Sequence, residues 1–148
     1  MELSNTFIRA QFRPKGLYYF SSEHLNTDDP HYFLIVKIDG KLAHLVVCTS
    51  QFKKRVQHLE MTGSSAETLV WIKPTADNAL TKDSFVDCNN VFSEYTIDKL
   101  VDLFSAKKLK LSGHVNDSEY FQILNGISKS DDVDLRIIEM VEAMIKKL

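Results

Sequence analysis

The amino-acid sequence predicts an α+β domain that is mainly β. The expected core is an antiparallel barrel of roughly five to seven strands, with helices gathered toward the C-terminus. Three observations carry this. Two apolar runs, residues 31–38 and 42–48, flank an Asp39-Gly40 hairpin signal. An aromatic run, Gly16-Leu17-Tyr18-Tyr19-Phe20, precedes them. From Thr96 onward the apolar spacing changes from strand-like to helical.

Taken in order, residues 1–15 read as an irregular lead-in with a short apolar-polar stretch over 7–12, and Pro14-Lys15-Gly16 is turn chemistry. Residues 16–20 form the first strand. Residues 21–30 are a polar loop ending in Asp28-Asp29-Pro30, long enough for a functional role. Tyr32-Phe33-Leu34-Ile35-Val36 is continuously apolar, as expected of a strand covered on both faces. Its hairpin partner ends in Thr49-Ser50-Gln51.

Residues 51–65 read as a polar connection. A core strand is expected over 66–72, stopped by Pro74, and a short one over 83–88. Ile97, Leu100, Val101 and Phe104 predict a helix, and residues 107–115 a last strand. A second helix opens at Asn116-Asp117-Ser118-Glu119 and should stop at Asn125-Gly126. After a polar break, residues 133–148 form an amphipathic helix with the stripe Val133, Ile137, Val141, Met144 and Leu148. The domain reading is therefore a barrel over 1–127, with a terminal helix over 128–148 packed on or beside it.

The chain has 148 residues, enough for one domain with a substantial core. It is 44% hydrophobic and 26% charged, which argues against disorder. The net charge of -2 counts against a uniformly basic nucleic-acid binder but leaves room for a local patch. Cys48 and Cys88 are too few for a disulfide framework or a CxxC site, so two buried thiols are expected. No apolar run approaches the roughly 20 residues of a membrane span, and the N-terminus lacks a leader pattern. The expectation is a cytoplasmic protein without membrane contact.

Thr49 and Ser50 head the candidate site: hydroxyls at an exposed strand end can hydrogen-bond a phosphate oxygen. Ending a strand in a turn is the commoner use of such a pair. Lys53, Lys54 and Arg55 follow closely and suit phosphate contacts, as does the second cluster Lys107, Lys108 and Lys110. Solvated charge is the default reading of both. His31 stands where a general acid or base would be useful. The aromatic residues Tyr18, Tyr19, Tyr32 and Phe33 divide between barrel core and stacking surface for bases. The five histidines show no metal-ligand spacing, and GxGxxG, P-loop, GxSxG and HExxH motifs are absent, so no cofactor is expected.

The order of Gly16-led strand, variable loop, strand pair ending in Thr49-Ser50, and later strand and helix resembles the MazF/PemK toxin family over residues 16–127. The resemblance implies an SH3-like barrel, a homodimer, and metal-independent cleavage of single-stranded RNA through its own 2′-hydroxyl. It also implies a cognate antitoxin. On it, Thr49 matches the active-site hydroxyl with Ser50 beside it, while Lys53, Lys54, Arg55, Tyr18 and Gln51 would contact RNA. Two positions depart from the pattern. His31 stands where the family's catalytic arginine belongs, leaving His31 or Arg55 to take that role, and Leu17 replaces the acidic residue after the first glycine. The rival readings are a non-catalytic barrel that binds a protein or nucleic acid, and an oligomerisation domain built on the last helix.

Overall fold

The computed structural model describes residues 4–148. The elements are α1 (Asn5–Ala10), β1 (Gly16–Phe20), β2 (His31–Asp39), β3 (Leu42–Thr49) and α2 (Phe52–Thr62), then β4 (Leu69–Ile72), β5 (Ser84–Thr96), α3 (Ile97–Ser105), β6 (Leu109–His114), α4 (Asp117–Ser128) and α5 (Leu135–Lys146). The strands form one six-stranded antiparallel sheet in the order β4-β5-β3-β2-β1-β6. Its two edges, β4 and β6, do not pair with each other, so the expected barrel is a curled, open sheet. Register shifts between β3 and β5 provide the curl, since looped-out residues sharpen twist.

Both sheet faces are covered, which explains the continuous apolar runs of β2 and β3. On one face Leu34, Val36, Val46, Cys48 and Val86 pack with Ile123, Leu124 and Ile127 of α4 and Val141 of α5. On the other, Tyr18, Phe20, Phe33, Ile35, Leu45 and Phe92 pack with Leu100 and Val101 of α3. The terminal helix therefore shares the core of the sheet.

Several boundaries differ from expectation. The lead-in contains α1, started by Ser4, whose Oγ accepts from the Phe7 N–H at 3.1 Å; Met1 to Leu3 lie outside the described residues. The polar connection after Ser50 is α2, with Phe52, Val56 and Leu59 at helical spacing and Gly63 closing it in the left-handed conformation. Only Leu59 of this helix is buried, so its apolar signal is weak. Residues 66–68 are a 3₁₀ turn, and β4 begins after it. The strand expected over 83–88 continues to Thr96, because β5 bulges past Cys88-Asn89-Asn90 and resumes pairing at Val91. Asn89 looks like a turn residue, but its side chain bonds Thr68 and Ser130.

The helix predicted to stop at Asn125-Gly126 runs through it to Ser128. Gly126 is there for close packing: a Cβ would lie 2.7 Å from the Glu67 carbonyl oxygen and 2.8 Å from Cys88 Sγ. The last helix starts at Leu135 behind an Asp134 cap, and Leu148 is exposed instead of joining the stripe. Cys48 and Cys88 are both buried, and burial pushes the Cys48 thiol up to about 12, which makes it chemically inert.

His44 is buried on β3 with Nδ1 2.7 Å from Ser93 Oγ. Burial is the main cause that lowers its pKa below 6.5, against the opposing pull of Asp39. The unfolded chain therefore takes up this proton first as pH falls. Its stabilising contribution is intact above the ordinary histidine range and is lost as pH drops from there toward the folded value. Wild type should lose more unfolding free energy than His44→Gln between about pH 7 and about pH 5. Urea titrations with parallel pH profiles for the two proteins would contradict this.

Candidate functional site

Antiparallel pairing brings the ends of β1, β2, β3, β4 and β5 to one end of the sheet. Tyr19 pairs with Tyr32, Tyr32 with Cys48, and Cys48 with Val86, so these residues form one row across four strands. Beyond this row lies a small open cavity of about 170 Å³. Its lining includes His31, Tyr32, Thr49, Ser50, Lys82 and Ser84, with the Leu80-Thr81-Lys82 segment closing one side. Tyr19 and Tyr32 stack along one wall with ring centroids 4.5 Å apart. The cavity is small beside the roughly 300–1,000 Å³ of sites that engulf a whole small molecule. It suits a fragment of a larger ligand, such as one backbone phosphate with its sugar.

The three expected chemical residues thus meet in one place. His31 begins β2, and its Nδ1 lies 2.9 Å from the Asp29 carbonyl. A carbonyl only accepts, so Nδ1 carries the hydrogen and the neutral ring keeps its lone pair on Nε2. Thr49 is nearly buried, and its Oγ1 accepts from the Gln51 N–H at 3.1 Å. That bond uses an oxygen lone pair, so the hydroxyl hydrogen remains free to donate. Ser50 is exposed.

α2 starts just after Ser50, without a side-chain cap from Gln51 and without an acidic residue in its first turn. Its N-terminus adds partial positive charge at this end of the sheet. Lys53 and Lys54 stand exposed on that first turn, outside the cavity lining. The second lysine cluster reaches the same end from the other side. Lys110 pairs with Tyr19, extending the cavity-facing row toward the β6 edge. Sequence reasoning missed Lys82, which sits in the loop before β5 and only folding carries into the lining.

None of the five expected ligand contacts lines the cavity: Gln51, Lys53 and Lys54 are exposed around the start of α2, and Tyr18 and Arg55 are turned elsewhere. Tyr18 is core, because alternation turns it away from Tyr19: its hydroxyl donates to the Gln11 carbonyl at 2.6 Å and accepts from the Arg13 N–H at 3.0 Å. Burial pushes its pKa up to about 12. The glycine that leads β1 serves this packing, since a Cβ on Gly16 would collide with the Tyr18 hydroxyl. Tyr18→Phe should cost about 1–3 kcal/mol of stability, because two backbone groups lose their partner. It should leave any activity at the cavity unchanged; chemical denaturation and an activity assay on one preparation check both. Arg55 is turned to Asp87, with Nη1 3.7 Å from Oδ2, and is outside the cavity lining.

Among the described residues no three His, Cys, Asp or Glu side chains cluster as a metal-binding group. No helix among them is long and apolar enough to cross a membrane. Comparison with protein-family profiles and with curated proteins finds no match.

Proposed function

We propose that the protein is a metal-independent endoribonuclease of the MazF/PemK toxin type, cutting single-stranded RNA at the cavity. The curled sheet is then an opened relative of the SH3-like barrel, and a homodimeric state and a protein antitoxin belong to the same reading. The observation that carries it is the meeting of His31, Thr49, Ser50 and Lys82 in one polar cavity. Lysines flank it on both sides: Lys53 and Lys54 on α2, and Lys110 beside Tyr19.

The chemistry assigned to these groups is an internal transesterification. The ribose 2′-hydroxyl gives its proton to Nε2 of His31, and its oxygen attacks the adjacent phosphorus. The 5′-oxygen leaves and takes a proton from water, giving a 2′,3′-cyclic phosphate and a 5′-hydroxyl end. The Thr49 hydroxyl and the Lys82 ammonium stabilise the charge that grows on the phosphate oxygens. Lys82 fills the role of the family's arginine as a point charge, without the two-pronged fit of a guanidinium.

The test is incubation of the protein with a long single-stranded RNA in EDTA, beside Lys82→Ala. Discrete fragments with cyclic-phosphate ends are expected, at a rate lowered by about 10²- to 10³-fold in the variant. Intact RNA after incubation with folded wild-type protein would overturn the enzyme reading. It would favour a non-catalytic binding module, a reading that the lack of an arginine in the cavity lining already supports.

A further inference from the structure

A second feature occupies the same end of the sheet. Phe52, Phe85 and Trp71 form a run of nearly parallel rings. Phe85 lies 4.5 Å from Phe52 at 29° and 6.4 Å from Trp71 at 16° between ring planes. The run is open to solvent, with Trp71 49% and Phe52 45% exposed. Lys73 Nζ stands 4.5 Å from the centre of the Trp71 ring.

Pairing places this strip at the sheet end of the cavity but across the sheet from the Tyr19-Tyr32-Cys48-Val86 row, because Thr49 and Phe85 alternate with Cys48 and Val86. Thr49 pairs with Phe85, and Phe85 with Trp71, so the three share one face of the sheet. Two inter-strand steps separate Thr49 from Trp71, roughly 10 Å. Phe52 belongs to the helix that begins two residues after Ser50.

The geometry points to a stacking platform for the bases of a single-stranded nucleic acid, at the same end of the sheet as the cavity but on its other face. Base faces stack on exposed aromatic rings whatever their identity, while nearby cations hold the phosphates. The charge around the strip fits this. Lys53 and Lys54 lie exposed at the Phe52 end and Lys73 at the Trp71 end. Of the acidic groups, Asp87 faces Arg55, Glu60 lies toward the other end of α2, and Glu67 lines a hollow with Trp71 but accepts from Asn125 Nδ2 at 2.8 Å. Asp83 is exposed in the loop before β5, and Asp28 and Asp29 are exposed in the loop before β2 at the same end of the sheet. A purely apolar protein partner would bury these lysines without anions, whereas a phosphate chain pairs them. The proposal shares the nucleic-acid reading of the cavity but does not need catalysis.

Trp71 is the single tryptophan of the chain, so its emission reports on the strip directly. The probe is a short oligodeoxythymidylate, which lacks the 2′-hydroxyl and cannot be cut. It should quench Trp71 emission saturably, while an abasic strand of equal length and charge should not. Phe52→Leu should weaken binding by about 5- to 150-fold, the range for losing one stacking partner. Lys73→Gln, which leaves α2 untouched, should reduce the salt slope of binding by about one. Equal quenching by the abasic strand, or none by either strand, would overturn the platform. RNA cleavage without quenching would leave the cavity reading standing and remove only the platform. Quenching without cleavage would keep the platform and remove the endonuclease.

Discussion

His31→Ala is expected to slow RNA cleavage by about 10²- to 10⁴-fold, the range for removing a positioned proton-transfer group. The residue is half-buried at the cavity and held by one ring hydrogen bond to the Asp29 carbonyl. That bond holds the ring through Nδ1 and leaves Nε2 for the proposed role of base. Thr49, Ser50 and Lys82 remain in the variant, so RNA should still bind and the loss should appear in kcat with little change in KM. His31→Gln makes the comparison sharper, since glutamine can hydrogen-bond but cannot take the proton. Turnover by His31→Gln equal to wild type would show that this ring moves no proton. A loss confined to KM would reassign His31 to substrate binding.

Phe33→Ala should cost about 3–5 kcal/mol of stability, a large part of the roughly 5–15 kcal/mol that holds a domain of this kind. Phe33 sits on a central strand with no exposed surface. Its ring stacks on Phe20 at 4.5 Å and meets Phe92 edge-on at 5.9 Å. Truncation leaves a cavity between two paired strands and the helix-covered face, where β-sheet hydrogen bonds oppose collapse. Phe33→Leu keeps much of the volume and should cost less than half as much. Urea unfolding of the three proteins measures the differences. A change below about 1 kcal/mol for Phe33→Ala would mean that the site relaxes, contrary to its packing.

Much of this was legible in the residues. The hairpin of β2 and β3 followed from two apolar runs around Asp39-Gly40, and Thr49 does pair Phe85 at the strand end, as a terminating hydroxyl would. The starts of α3 and α4 followed from Thr96 and Asn116, whose side chains cap Lys99 and Glu119. These signals are local: a turn, a cap or a periodicity acts over a few residues and survives in any tertiary setting.

What escaped was decided by contacts between distant segments. Nothing near Gly126 says that α4 continues, because the reason is Cys88 and the Glu67 carbonyl on other elements. The Asn89-Asn90 bulge reads as a turn until Thr68 and Ser130 are placed beside it. Helix α2 was hidden because its anchors are Phe85 and Asp87 on β5, not a wide apolar stripe of its own.

The candidate site divides in the same way. By itself the sequence determined a two-sided sheet, a hydroxyl pair at a strand end, a histidine at a strand start and lysine clusters of unknown place. Tertiary structure alone decided that His31, Thr49 and Ser50 meet, that Lys82 joins them and that Tyr18 does not. The physical reason is strand register. Pairing sets which ends lie together and which alternate side chains share a face, and a single residue's shift reverses every such assignment.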